Sequence, residues 1–256
     1  MSKSVFITGA TSGFGAACAR RLAREGWMVA ICGRRGERLE ALREELAGQA
    51  AGVHAVVLDV RDRAAMEAAV AALPPGFERL DALINNAGLA LGIEPAQRCD
   101  LDDWETMVDT NIKGLLYATR LLLPRLIAAG RGASIVNLGS VAGRYPYPGS
   151  HVYGATKAFV RQFSLNLRCD LQGTGVRVTD IEPGLCESEF SLVRFEGDQA
   201  RYDATYAGAE PIQPEDIADT IHWVLDRPPH VNINTLELMP VSQSWGGFAV
   251  HRKPQA

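Results

Sequence analysis

Tyr153 and Lys157 stand four positions apart in "VYGATKAF". On a helix that spacing stacks a phenol and an ammonium on one face, one turn apart. Taken alone, the pair reads first as a solvated helix face with a snorkelling lysine. The alternative is proton chemistry. A free phenol has a pKa of about 10, so only about one in a thousand is ionised at neutral pH. An ammonium at ~4 Å, across an effective dielectric of ~20, supplies ~4 kcal/mol, or about three pKa units. That shift would bring the phenol close to the working pH, where a general acid or base is most effective.

A second group of residues suits phosphate. "TGATSGFG" places Gly9, Gly13 and Gly15 after an apolar run and before a helical period. The spacing is not GxGxxG, but glycines still permit a tight turn and close backbone approach. The helix N-terminus then offers free N–H groups to a pyrophosphate. Further on, "ICGRRGERL" ends an apolar run in Arg34 and Arg35, with no carboxylate before Glu37. An NAD-preferring site would place an acid there for the ribose hydroxyls. Two guanidiniums instead match a 2′-phosphate, so NADP(H) is the expected coenzyme. Ser140 ends another apolar run, where a serine is usually turn chemistry but can also set a hydroxyl beside a phenol. Asn111 interrupts a long helical pattern, either as an exposed polar residue or as a functional one. The five histidines form no ligand pair with the five cysteines, so no metal site is expected.

These residues need a frame. Apolar runs at 4–9, 27–33, 53–60, 81–88, 133–140, 176–183 and 234–240 read as buried strands. Helical periods such as 13–24, 37–47 and 63–72 separate them, which predicts a doubly wound α/β fold with a parallel sheet of about seven strands. A helix over 102–129 carries a long apolar stripe, with Asp102 and Glu105 as its expected capping pair. The segment 185–210 is a loop-rich insertion, and one that long in a compact domain is usually functional, often a lid.

Bulk properties narrow the classes. The 256 residues carry a net charge of −4, with 47% hydrophobic and 22% charged residues. That is ordinary globular composition with no footprint for nucleic acid or an anionic membrane. No apolar run is long enough to span a bilayer, and the opening "MSKSVFITGA" lacks signal-peptide regions. An odd number of scattered cysteines fits reduced thiols and a cytoplasmic setting.

"TGATSGFG", "LDV" at 58–60, "NNAG" at 85–88, Ser140, "YGATK" and "PG" at 183–184 together resemble a short-chain dehydrogenase/reductase over nearly the whole chain. The resemblance implies one Rossmann-type domain over 1–256. It implies a catalytic set of Asn111, Ser140, Tyr153 and Lys157. Tyr153 would exchange a proton with the substrate oxygen while hydride passes to or from nicotinamide, and Ser140 would polarise that oxygen. Lys157 would also hold the nicotinamide ribose, and Asn111 would anchor a relay water. Gly9, Thr11, Ser12, Gly13, Phe14 and Gly15 would form the phosphate turn. Asp59 and Val60 would meet the adenine, and Asn86, Ala87 and Gly88 would support a ribose. Pro183, Gly184 and Ser188 would flank the nicotinamide. The family's lid opening carries a glycine pair and a threonine, whereas "PGLCESEF" is one residue shorter, with Ser188 at the hydroxyl position.

Within the family, "NNAGLALGIEPA", "VYGATKAFVRQFSLNLR", "VRVTDIEPGL" and "VRFEGD" most resemble bacterial NADP-dependent 3-hydroxy acid dehydrogenases of the serine and L-allo-threonine type. That implies a small 3-hydroxy acid and its semialdehyde or keto acid as substrates, bound by Ser140, Tyr147, Tyr153 and Arg194. Sulfoacetaldehyde reduction or a broader aldehyde and ketone reductase is the alternative, and a silent NADP(H)-binding regulator a further one. Arg144 and Arg201 also compete for the acid group, and the alternative for Arg194 is a surface ion pair with Glu196 or Asp198. The resemblance further implies a homotetramer through the 102–129 and 150–172 helices, with the tail "SWGGFAVHRKPQA" docked on a neighbour.

Overall fold

The computed structural model describes residues 2–245. Seven parallel strands form one sheet in the order β3-β2-β1-β4-β5-β6-β7. They are β1 (Ser4–Thr8), β2 (Met28–Gly33), β3 (Gly52–Val57), β4 (Ala82–Asn85), β5 (Ser134–Leu138), β6 (Arg177–Pro183) and β7 (Thr235–Leu238). Helices α1 (Gly13–Arg24), α2 (Gly36–Leu46) and α3 (Arg63–Ala71) connect the first four strands. α4 (Leu101–Val108), α5 (Leu115–Ala129) and α6 (His151–Asp170) join β4 through β6. The insertion after β6 holds two short helices, α7 (Glu189–Arg194) and α8 (Gln199–Tyr206), before α9 (Pro214–Leu225) leads to β7. Among the described residues, no helix is long and apolar enough to cross a membrane.

Alternation along each strand builds two cores. Val5, Ile7, Val29 and Ile31 point to a layer shared with Leu22 of α1, Leu39 of α2 and Ile221 of α9. Phe6, Leu83, Ile135 and Val178 point the other way, against Met66 of α3, Leu122 and Leu126 of α5 and Leu167 of α6. Both faces of the sheet are therefore buried, which is why its strands read as continuous apolar runs. The chain reverses its direction of winding between β1, which pairs with β2 and with β4, and this switch point opens a crevice at the carboxyl ends of the strands.

Three expectations about elements need correction. Strands end earlier than the apolar runs suggest, so Asp59, Val60, Asn86 and Ser140 lie on the loops beyond β3, β4 and β5. Their backbones turn away from the sheet to line the crevice. The helix expected over 102–129 begins at Leu101, and its cap is Asp100, whose side chain accepts from the Asp102 N–H, in place of an Asp102 and Glu105 pair. It is also not uniform: residues Asp109–Gly114 form a wider π-helical turn between α4 and α5, and Asn111 sits within it.

Candidate active site

The crevice contains a cavity of about 470 Å³. The turn after β1 forms its floor. Gly9 has a φ of +69°, and a Cβ there would stand 2.8 Å from the Ala87 Cα. Gly15 is equally crowded, since a Cβ would lie 2.5 Å from both the Gly9 carbonyl and Asn86 Nδ2. Asn86 Nδ2 in turn donates to the carbonyls of Thr8 and Gly9 at 3.0 and 2.9 Å, stapling the turn to the end of β4. Gly15 thus packs behind the cavity, while Gly9, Thr11, Ser12, Gly13 and Phe14 line it. No side chain caps α1. The first-turn N–H groups of the lining residues are left for an anion.

The basic end lies at the tip of β2. Arg34, Arg35, Asp59 and Val60 all line the cavity. Arg35 donates from Nε and Nη2 to Thr11 Oγ1, from Nη2 to Ser12 Oγ and from Nη1 to Glu189. Among the described residues, Arg34 makes no hydrogen bond or ion pair. The Asp59 carboxyl is held below its ordinary value by hydrogen bonds from Arg61, with Arg34 adding to the pull.

The sheet brings the catalytic candidates together at the opposite end. Ala87, Gly88, Ser140, Tyr153, Lys157, Pro183, Gly184 and Ser188 line the cavity. Lys157 Nζ is buried and donates to the Leu138 carbonyl at 2.7 Å. Burial lowers it from its ordinary 10.5 to about 8, with Asp180 pulling the other way. Ser140 Oγ accepts from the Ala142 N–H at 3.1 Å and donates to the Pro183 carbonyl at 3.4 Å. Asn111 is buried behind the cavity. Its Oδ1 accepts from the Leu89 N–H at 2.9 Å, and its Nδ2 donates to the Leu89 carbonyl at 2.8 Å and Thr156 Oγ1 at 3.0 Å. The π-helical turn therefore pins the loop after β4 to α6. An exposed mid-helix asparagine is not what the fold contains.

The electrostatics of Tyr153 differ from the simple pairing. Lys157 Nζ lies 5.8 Å from the ring centroid. Burial pushes the phenol above its ordinary value, against a smaller downward pull from Ser140 and the Arg194 charge. The raised value keeps Tyr153 neutral at pH 7, a proton donor rather than a poised base. Desolvation dominates because the ring is only 8% exposed.

The insertion closes one wall. Ser188 caps α7, accepting from the Phe190 N–H at 3.3 Å, and the Phe190 ring lies 5.5 Å from that of Tyr153. Arg194 and Tyr147 stand just behind the lining residues. The Arg194 guanidinium carbon sits 5.6 and 5.8 Å from the centroids of Tyr147 and Tyr153. Its nitrogens donate to the Gly92 carbonyl at 3.2 Å, Tyr147 Oη at 3.0 Å and the Gly149 carbonyl at 3.5 Å. Neither Glu196 nor Asp198 pairs with it. Arg144 instead pairs with buried Glu182 and with Glu237, and Arg201 with Asp198, so neither competes for the cavity. Glu187 turns outward to Gln213 Nε2 at 3.2 Å. Burial pushes the Cys186 thiol up to about 12, which leaves it an inert wall.

Glu189 and Phe190 line the site without having been singled out from sequence. Their partners lie far away along the chain, with Arg35 and Glu189 separated by 154 positions. The one local signal was an acid in the first turn of a lid helix.

The family model for short chain dehydrogenases matches residues 3–198. The chain is 60% identical to Sulfoacetaldehyde reductase 2 of Chromohalobacter salexigens, over 98% of this chain and 100% of that protein. It is 59% identical to the serine 3-dehydrogenase of Agrobacterium fabrum, over 99% of this chain and 100% of that one. Among solved structures, the closed form of serine dehydrogenase complexed with NADP+ superposes with a TM-score of 0.93 at 54% identity, covering 98% of this chain and 100% of that chain. A glycine turn under a parallel sheet, a tyrosine and lysine stacked on α6, and matches of this extent agree, and the chain belongs to the short-chain dehydrogenase family.

Proposed function

We propose that the protein is an NADP(H)-dependent oxidoreductase for small alcohols and carbonyls that bear an anionic group on the carbon next to the reacting one. Semialdehydes and keto acids of the 3-hydroxy acid type have that arrangement, and so does sulfoacetaldehyde, with a sulfonate in place of the carboxylate. The residues fit the coenzyme: a glycine turn that a Cβ would block, an uncapped helix N-terminus, and Arg34, unpaired among the described residues, where a 2′-phosphate needs a cation. When bound, the nicotinamide supplies or takes the hydride. Tyr153, neutral by burial, donates its proton to the oxygen of a carbonyl being reduced. Ser140 hydrogen-bonds the same oxygen, Lys157 holds the ribose and its ammonium stabilises the phenolate left by the proton transfer, and Asn111 fixes the loop and α6 in register.

Arg194 carries the substrate assignment. A guanidinium with no carboxylate partner among the described residues stands over the Tyr153 ring, near the apolar wall that Phe190 and Val193 give the cavity. An anionic group leaving water needs such a cation. Its place relative to Tyr153 sets the distance between anion and reacting carbon. If it clamps the anion, Arg194→Ala raises KM for anionic substrates tenfold or more, the loss expected of a charge-assisted bond worth about 1.5–3 kcal/mol. Turnover of a neutral ketone stays within about twofold. A parallel loss for both substrates would assign Arg194 to the shape of the lid alone.

A further inference from the structure

Helix α7 has only six residues, so its ends are roughly 8 Å apart. The two ends stand beside different parts of the cavity, Glu189 in its lining and Arg194 just behind it. At the N-terminal end the Glu189 carboxylate bridges Arg35 Nη1 at 2.8 Å and Arg38 Nη1 at 2.6 Å. At the other end Arg194 stands over Tyr153. The carboxylate holds two guanidiniums in the way a phosphate would, and it does so where the ribose 2′ end of a coenzyme would lie, beside unpaired Arg34. Every nitrogen of Arg35 already donates, to Thr11, Ser12 or Glu189. Burial alone would raise the Glu189 carboxyl, but the bonds from Arg35 and Arg38 hold it below its ordinary value, so it is an anion at neutral pH.

Resting on the reading of NADP(H) as coenzyme, we propose that Glu189 is a specificity-determining residue: it competes with the coenzyme's 2′-phosphate for Arg35 and Arg38, and this competition ties coenzyme choice to the placement of Arg194. A 2′-phosphate brings nearly two negative charges to three arginines, two of which already hold a carboxylate. Either the phosphate takes donors from Glu189 or the two anions repel across the shared cations. Both weaken the hold on α7, and both are absent when NAD(H) is bound. The same six residues then transmit the difference to the anion subsite.

Glu189 is substantially exposed, and Glu189→Gln keeps its size and hydrogen-bonding reach, so the variant folds. The test is a fluorescence titration of NADPH and NADH against the natural protein and this variant. Any loosening of the insertion weakens both coenzymes alike and cancels in the ratio of the two dissociation constants. The NADPH-over-NADH preference is expected to rise fivefold or more in Glu189→Gln. In the natural protein, KM for an anionic aldehyde should depend on which coenzyme is bound, and in the variant that dependence should disappear. An unchanged preference would reduce Glu189 to an exposed ion pair and overturn the proposal. A lowered preference would overturn it too, by showing that Glu189 orients the arginines for the phosphate. If the natural protein shows no preference for NADPH at all, the coenzyme reading itself fails, whatever Glu189→Gln does.

Discussion

Lys157 is held where its charge is costly. It is 7% exposed, and its hydrogen bond goes to a neutral carbonyl. Its pKa falls from 10.5 to about 8, so between those values the unfolded chain binds a proton that the folded chain does not. Stability contributed by this residue therefore rises with pH across that window, and the penalty is full below about 8. Lys157→Met removes the penalty and loses one hydrogen bond. At pH 7 the variant should be more stable by about 1–3 kcal/mol while losing turnover, and the gain should fade as pH approaches 10.5. Urea unfolding at pH 7 and pH 10 checks this, and a variant less stable at pH 7 would refute it. The proximity of Lys157 to Tyr153 was legible from their spacing, because helix geometry is local. The sign of the Tyr153 shift was not, because burial depends on Phe190 and Arg194 arriving from a distant segment.

The elements matter by where they stop. β1 ends at Thr8, and the next residue takes a φ of +69° against the backbone of Ala87. A side chain at Gly9 meets both strain, of about 1–3 kcal/mol, and backbone atoms that cannot swing aside. Gly9→Ala should lower stability by at least about 2 kcal/mol in denaturant melts and weaken NADPH binding more than tenfold. A variant with natural stability would mean that the turn tolerates a side chain. Strand order and the glycine turn could be expected from alternating periods alone. The π-helical turn around Asn111 could not, since it follows from the side chain's bonds to Leu89 and Thr156. The π-helical widening likewise has no local signal in "VDTNIKG". The cap shifted from Asp102 to Asp100 for a simpler reason, as three acids in "DLDD" each fit a first turn and packing picks the register.

At the scale of the molecule, the surface suggests more than one chain. Leu121, Leu123, Phe159 and Phe163 are only partly covered, the two phenylalanine rings stack 5.8 Å apart, and Ile127 is 42% exposed. We propose that these faces of α5 and α6 pair across two-fold axes in a homotetramer. Light scattering at micromolar concentration should give about four times the monomer mass, and a monomeric mass would rule the tetramer out. The tail expected to dock on a neighbour lies, from residue 246 onward, outside the described residues. Fold class was readable from alternating periods, and the residues that line the glycine-turn end of the cavity come from contiguous motifs, whereas the other end joins Arg194, Tyr147 and Gly92 from three segments that sequence spacing does not relate. That joined end is where the functional claim rests. Its most direct test is the rate of NADPH oxidation with malonic semialdehyde, sulfoacetaldehyde and propanal, three aldehydes that differ mainly in the anionic group. Turnover of both anionic aldehydes with kcat/KM at least about tenfold above propanal is expected from a clamp worth one charge-assisted bond. Equal rates for all three, or no oxidation of NADPH, would contradict it.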